Sequence, residues 1–344
     1  MTTRHTQDKL LTIVVPVYNT EAYLPKCLDS VLNCKNRDVV ELLVINDGSP
    51  DNSDAVISQY AQDYPQIVRY IRKKNGGWGS CINLAMREAE GKYFKILDSD
   101  DYYDTAALGM FVDFLSQTDA DMVLSSMTEI SNSGFYIRTI PPQREYKMFL
   151  AKEHFKGLSS TYPIHMTSYK TSILKDNAIT LSKRYYADLE FNLLPLPFVQ
   201  TVAYVPYNVY QYQRIREEAS TSTRGYALNR ANYMTVATNV IDYYIRCKDN
   251  LSSELDALLI KEMVNISKGV YNYFLSPVYR FGDIPCNTTE LRNFSRYISE
   301  HSPEILRSLY HVRKKGVPYI WIWVKLHFNI LKLGRLSKFF RVGF

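Results

Sequence analysis

Short apolar runs alternate with segments of helical spacing along the first 125 residues. "LLTIVVPVY" is almost continuously apolar, the pattern of a strand covered on both faces. "TEAYLPKCLDSVLNC" then places Leu24, Leu28, Val31 and Leu32 on one side of a helix. "VELLVIND" predicts a second strand, and "SPDNSDAVISQYAQDY" a helix that opens with capping residues. "IVRYIRK" reads as a third strand, "SCINLAMREAEG" as a helix stopped by glycine, and "KYFKIL" as a fourth strand. The alternation predicts βαβ units: an α/β, Rossmann-like, mostly parallel sheet with helices on both faces.

The pattern changes downstream. "DMVLSSMTEI" and "FYIRTI" predict strands, and "DLEFNLLPL" a short helix. Beyond Gly225 long helices are expected over 226–247, 251–276, 288–300 and from about 318. The boundaries that follow are 1–125 and 126–225, two halves of one α/β domain, and a helical region over 226–344. No internal repeat or low-complexity tract interrupts them.

Composition narrows the picture modestly. A 46% apolar, 22% charged chain of 344 residues is globular with a substantial core. Its 28 tyrosines suit packing with a surface hydroxyl, and equally a carbohydrate or nucleotide site. Five cysteines with no CxxC pair suggest reduced structural thiols and a cytoplasmic setting. The polar opening "MTTRHTQDKL" lacks a signal-peptide apolar region, and no run reaches the roughly 18 apolar residues of a membrane span. Charge is uneven. After Glu304 there is no acidic residue but nine Lys and Arg, so removing those nine from the net +6 leaves residues 1–304 at −3.

Against that basic tail, "FKILDSDDYYD" puts four aspartates within seven positions behind an apolar strand. Side chains two apart in a strand point the same way, so Asp98 and Asp100 face one side at its carboxyl end. Ligands bind at that edge of open α/β sheets. A hard divalent cation shared with substrate phosphates would offset the repulsion. The alternative is a solvated loop in which Asp101 or Asp104 caps the helix beginning near Thr105. "VVPVYN" and "VINDGS" close the first two strands on the same expected edge. Tyr18 there offers a ring for a base to stack on, and Asp47 an acceptor for a base imide N–H.

"VVPVYN", "VINDGS", "KKNGGWGSCIN" and "LDSDD", in this order and spacing, resemble the family 2 glycosyltransferases of the GT-A fold, closest to bacterial members that build surface polysaccharides. The resemblance covers about 1–125 closely and continues loosely to about 225. It implies a nucleotide-sugar donor, transfer with inversion, and Mn²⁺ or Mg²⁺ held by a DxD motif; a UDP-sugar is the expected donor because Tyr18 and Asp47 match uracil binding in relatives. Position by position, Pro16, Tyr18, Asn19 and Asp47 match the nucleoside-binding residues. Asp98 and Asp100 match the DxD, with Asp101 as an alternative ligand. Gly76 and Gly77 match a turn near the donor, although a plain flexible loop explains them equally. Trp78 departs from the small residue or histidine usual there.

Inversion also needs a carboxylate to take the proton of the attacking hydroxyl. "RYYADLEFNLLPL" resembles the family's base segment, with Asp188 in the base position. Ala187 stands where many relatives have glutamate; Glu190 is the fallback, and a helix cap the structural alternative. His165 in "YPIHMTSYKTSIL" is similarly placed to a histidine of related sequences and suggests an acceptor contact. An oxidoreductase would need GxGxxG after the first strand, which ends instead in Pro-Val-Tyr-Asn.

The expectation is therefore an inverting glycosyltransferase acting on a glycan or lipid-linked glycan, or else a non-catalytic nucleotide-sugar or glycan-binding subunit. The tail, wound as a helix, sets Ile322, Leu326, Ile330, Leu333 and Phe340 on one arc and Lys325, Lys332, Arg335 and Lys338 on another. That suits an anionic membrane surface over 318–344, at the inner face of the cell membrane, or a helix packed on the protein. Nucleic acid is not an expected partner.

Overall fold

The computed structural model describes residues 9–131, 134–138, 146–183, 185–213 and 222–332. They form two compact units: Met1–Lys156 with Tyr162–Arg216, and Gly157–Thr161 with Glu217–Phe344.

The first unit is built on one sheet. Its opening strands are β1 (Leu11–Val17), β2 (Val40–Asn46), β3 (Val68–Arg72) and β4 (Tyr93–Ile96). They pair in the order β3-β2-β1-β4, all parallel. Every residue of β1, β2 and β4 is buried, which is why these runs lack polar alternation. Between them run α1 (Leu24–Leu32), α2 (Ser53–Asp63) and α3 (Trp78–Glu88). Register puts Val17 beside Asn46, while the Leu97 N–H donates to the Val14 carbonyl at 3.0 Å. The carboxyl ends of β1, β2 and β4 therefore share one edge, as the alternation predicts.

After β4 come β5 (Tyr102–Tyr103), α4 (Thr105–Gln117), β6 (Met122–Ser131), β7 (Gly134–Arg138), β8 (Met148–Leu150), α5 (Ala151–Phe155), β9 (Thr167–Lys170), α6 (Thr171–Asp176), α7 (Ala187–Leu193) and β10 (Thr201–Gln213). The sheet continues β4-β9-β6-β10-β5, with β7 on β6 and β8 on β10. β9 is antiparallel to both β4 and β6, and β10 is parallel to β6. The fold is thus the expected α/β architecture, parallel in its first half and mixed in its second.

The pattern missed β10. Pro206 removes a ladder donor inside it, and such residues belong to edges or bulges. Here the register with β6 shifts between Val205 and Asn208 and again before Tyr210. The strand absorbs its proline by bulging and carries on, which brings Tyr210 and Gln213 to the β4 exit.

The second unit holds α8 (Thr223–Leu228), α9 (Arg230–Cys247), α10 (Ser253–Leu275), α11 (Thr288–His301), α12 (Pro303–Tyr310) and α13 (Tyr319–Leu326). The segment expected as one helix over 226–247 breaks at Asn229, and α12 was not anticipated. Many tyrosines serve packing: Tyr226 stacks on Tyr273 with centroids 4.4 Å apart, and Tyr271 bonds Ser295 at 2.9 Å. The Glu262 carboxylate on α10 accepts from the Thr161 N–H, which ties the 157–161 segment to this unit. α13 buries Tyr319, Ile320 and Trp323 and ends where His327 takes a left-handed conformation. Leu333, Arg335, Lys338 and Phe340 of the expected arcs lie outside the described residues. No helix among the described residues is long and apolar enough to cross a membrane. All five cysteines are unpaired thiols.

Near the sheet edge the 181–182 backbone rests directly on α3. Asn83 closes two 2.8 Å bonds with Leu181, one to its carbonyl and one from its N–H. A Cβ at Gly79 would sit 1.8 Å from the Ser182 carbonyl oxygen. Gly79→Ala should therefore cost about 1–3 kcal/mol, as an overpacked core contact does. In thermal unfolding this appears as a Tm several degrees lower; an unchanged Tm would show that the 181–182 segment yields freely.

Candidate active site

Asp47 follows β2 and is almost fully buried. Its Oδ1 accepts from the Gly76 N–H at 2.9 Å and its Oδ2 from the Gly77 N–H at 2.7 Å. Lys73 also pairs with it and donates to Ser80 Oγ at 2.8 Å. The glycine turn is thus wrapped around the Asp47 carboxylate. Gly77 adopts φ +85°, a conformation open to glycine at little cost, just before α3 begins. Across the edge Tyr18 is 52% exposed, a ring face open to solvent. Asn19 is left-handed, with its N–H on Ser49 Oγ at 2.6 Å. Ser49 in turn bonds Asp51, whose carboxyl lies at about 2: against a cost of partial burial, bonds from Ser49, Ser53 and the Glu21 N–H favour its charge.

The four aspartates of "DSDDYYD" separate into different roles. Asp104 caps α4, accepting from the Ala107 N–H at 2.8 Å. Asp98, Asp101 and His165 converge, each offering one ligand atom within 4.8 Å of the others. Asp100 is not one of the three; its carbonyl accepts from the Gln213 side chain at 2.5 Å. Asp98 Oδ1 accepts from the Trp78 indole N–H at 2.8 Å, and His165 Nε2 lies 3.6 Å from its Oδ2. The residue that departs from the family pattern is therefore the one that orients the first aspartate.

Asp101 is 2% exposed and bonds to the Tyr210 hydroxyl at 2.7 Å and the Gln213 N–H at 2.6 Å. Burial first, then the charges of Asp98 and Asp100, push its carboxyl up to about 8. His165 sits against Tyr210 and Tyr212, with ring centroids 4.5 and 4.7 Å away. Two carboxylates and an imidazole fit Mn²⁺ or, through the oxygens, Mg²⁺, and the crowded Asp101 charge is what a cation would relieve. Tyr210, Tyr212 and Gln213 were invisible to motif reading because their strand was; only the apolar run before Pro206 and the Tyr–Gln alternation after it hinted at it.

Asp188 stands in the first turn of α7, just after Tyr186, which is left-handed at φ +70°. Burial raises its carboxyl, nearby His165 opposes this, and the Asp98 charge adds to it. It thus belongs electrostatically to the same cluster. Glu190 is engaged elsewhere: it accepts from the Ser182 hydroxyl at 2.7 Å and from the Ser182 N–H, clamping the loop that precedes Asp188. Below the site, Lys95 of β4 is 1% exposed, and burial lowers its ammonium to about 7.

The sequence profile of Glycosyl transferase family 2 matches residues 12–177. The chain is similar to the poly(ribitol-phosphate) beta-glucosyltransferase of Bacillus spizizenii, 28% identical over 220 residues. That alignment covers 57% of this chain and 34% of the relative, so the chain spans about a third of that relative's length. Among solved structures it resembles S. aureus TarS 1–349 in complex with UDP-GlcNAc, with a TM-score of 0.61 at 17% identity over 96% of this chain and 93% of that one. It also resembles the mannosyltransferase PcManGT of Pyrobaculum calidifontis in complex with GDP-Man and Mn²⁺, with a TM-score of 0.51 at 15% identity over 98% and 89%. Residues 12–177 of this chain are accordingly a glycosyl transferase family 2 domain, carried on a sheet of the GT-A type.

Proposed function

We propose that this chain is an inverting glycosyltransferase that moves a sugar from a UDP-sugar to a hydroxyl of a glycan or lipid-linked glycan. The observation that carries the proposal is the meeting of Asp98, Asp101 and His165 at the carboxyl edge of the sheet, beside the Asp47 turn, with Asp188 near enough for the His165 and Asp98 charges to act on it. Tyr18 supplies the stacking face for the base, with Pro16 and Asn19 shaping the β1 exit and Asp47 with its glycine turn the opposite wall. Asp98, Asp101 and His165 would hold the divalent cation, which when bound stabilises the charge of the departing diphosphate. This choice ranks Asp101 ahead of Asp100 and moves His165 from the acceptor to the cation side. Asp188 is the base: a raised proton affinity makes it better at taking the hydroxyl proton. As the acceptor oxygen bonds the anomeric carbon, the bond from that carbon to the diphosphate oxygen breaks on the opposite face. The relative acting on poly(ribitol-phosphate) and the neighbour binding UDP-GlcNAc support this donor and acceptor class.

A second surface supports the membrane partner. In the helical unit a cavity of about 520 Å³ is lined by Arg307, Tyr310, His311, Arg313, Pro318 and Trp321. Trp321 of that lining is 40% exposed, Leu326 on the same helix is 63% exposed, and neither arginine has a carboxylate partner among the described residues. Cations with exposed rings suit anionic headgroups.

Three measurements test these statements. Nucleotide release from a panel of UDP-, GDP-, CMP- and dTDP-sugars should occur with a UDP-sugar and Mn²⁺ and vanish with chelator. In the same assay Asp188→Asn should lower turnover by about 10²–10⁴-fold while leaving UDP-sugar affinity unchanged; full turnover would remove Asp188 as base, and no release from any donor would favour a binding subunit.

The second measurement concerns Asp101. Between the ordinary carboxylate value and about 8, the folded chain keeps a proton there that the unfolded chain has released. Without a cation its stability should therefore fall as pH rises through that interval, with the trend reduced in Asp101→Asn. Mn²⁺ should raise Tm more at pH 8 than at pH 6, and equal shifts would contradict Asp101 as a ligand. The third uses vesicles containing phosphatidylserine. Arg307→Glu, Arg313→Glu and Lys325→Glu should each weaken binding by about 1 kcal/mol or more, whereas binding unaffected by all three would refute the surface.

A further inference from the structure

Lys95 is an unusual residue for a central strand. Its ammonium is buried, makes no ion pair among the described residues, and lies 5.5 Å from the centroid of the Phe111 ring. An uncompensated buried ammonium is costly, and an apolar side chain would fill the same space more cheaply. What the ammonium does is donate to two main-chain carbonyls, that of His165 at 3.0 Å and that of Thr167 at 3.3 Å.

Those contacts fall where the ladder stops. β4 pairs with β9 at Tyr93–Lys170 and Phe94–Tyr169 and no further, which leaves a gap in the ladder from Lys95 toward Asp98 on one side and from Ser168 back to His165 on the other. Lys95 spans that gap. It lies three residues upstream of Asp98 and holds the main chain of the residue whose imidazole faces Asp98 at 3.6 Å. Tyr210 and Tyr212 confine the ring itself, while the backbone beneath it is tied to β4 through this side chain.

We infer that Lys95 is a positioning residue for the cation site: its bonds to the His165 and Thr167 carbonyls set the imidazole at ligating distance from Asp98 and Asp101. The inference rests on the proposed cation role of those three residues. Groups that orient metal ligands typically change metal affinity by about 10–100-fold when removed, which sets the size of the effect.

The test is Mn²⁺ binding to the full chain with UDP present, read from the electron paramagnetic resonance signal of free Mn²⁺. Wild type is compared with Lys95→Met, His165→Ala and the double variant, each first checked for a cooperative thermal transition in chelator. Lys95→Met should weaken Mn²⁺ by about tenfold or more, and the double variant should bind no more weakly than His165→Ala alone, because Lys95 acts through His165. Should Lys95→Met fail to fold, Lys95→Gln, which keeps an N–H donor on a shorter stem, is held to the same two criteria. Lys95 variants binding Mn²⁺ like a binding-competent wild type, or losses that multiply in the double variant, overturn the positioning role and leave the cation site standing. A wild-type chain that binds no Mn²⁺ overturns both.

Discussion

The structure turns on how a carboxyl group survives at the exit of β4. Asp101 is removed from water beside two other aspartates, and it is kept there by the Tyr210 hydroxyl and the Gln213 N–H. Both donors come from β10, a strand that reaches this place only by bulging around Pro206. The junction therefore joins the parallel half of the sheet to the mixed half. It also sets the direction of the loop that carries Asp98. Hydrogen bonding lowers the cost of the buried carboxyl without cancelling it, and its raised proton affinity is the remainder.

Around that junction the supports work in layers. Trp78 orients Asp98 from the start of α3, and the same stretch wraps Asp47 with the N–H groups of Gly76 and Gly77. One short segment thus shapes both the Asp47 side and the Asp98 side of the crevice. α3 then serves a third purpose through Gly79 and Asn83, on which the 181–182 backbone rests. Glu190 clamps that backbone from behind, so the approach to Asp188 is fixed by packing and hydrogen bonds rather than left to a free loop. Sites held in this way lose less entropy when a substrate arrives.

Much of the first half was legible before any coordinates. β1, β2 and β4 are buried on both faces, and a nearly continuous apolar run between segments of helical spacing admits few other structures. The carboxyl edge followed from their parallel pairing, and with it the grouping of Tyr18, Asp47 and Asp98. The later strands were harder. Pro206 and Asn208 disguise β10, β8 and β9 are three and four residues long, and β5 is two. Strands that short carry no period, and their pairing is set by partners distant in the chain.

The strand–helix alternation, the sheet edge on which chemistry is expected, and the family that the four ordered motifs resemble can all be read from the order of residues. Those features are local: each depends on the residues of one element and on the periodicity of its apolar face. Tertiary structure alone decided which aspartate does what. Asp98, Asp100, Asp101 and Asp104 are one acidic run on paper, yet one caps a helix, one is buried under β10, and one meets a histidine 67 positions away. Identical side chains diverge because protonation, orientation and partners are fixed by neighbours from remote segments, and no short window of sequence contains them.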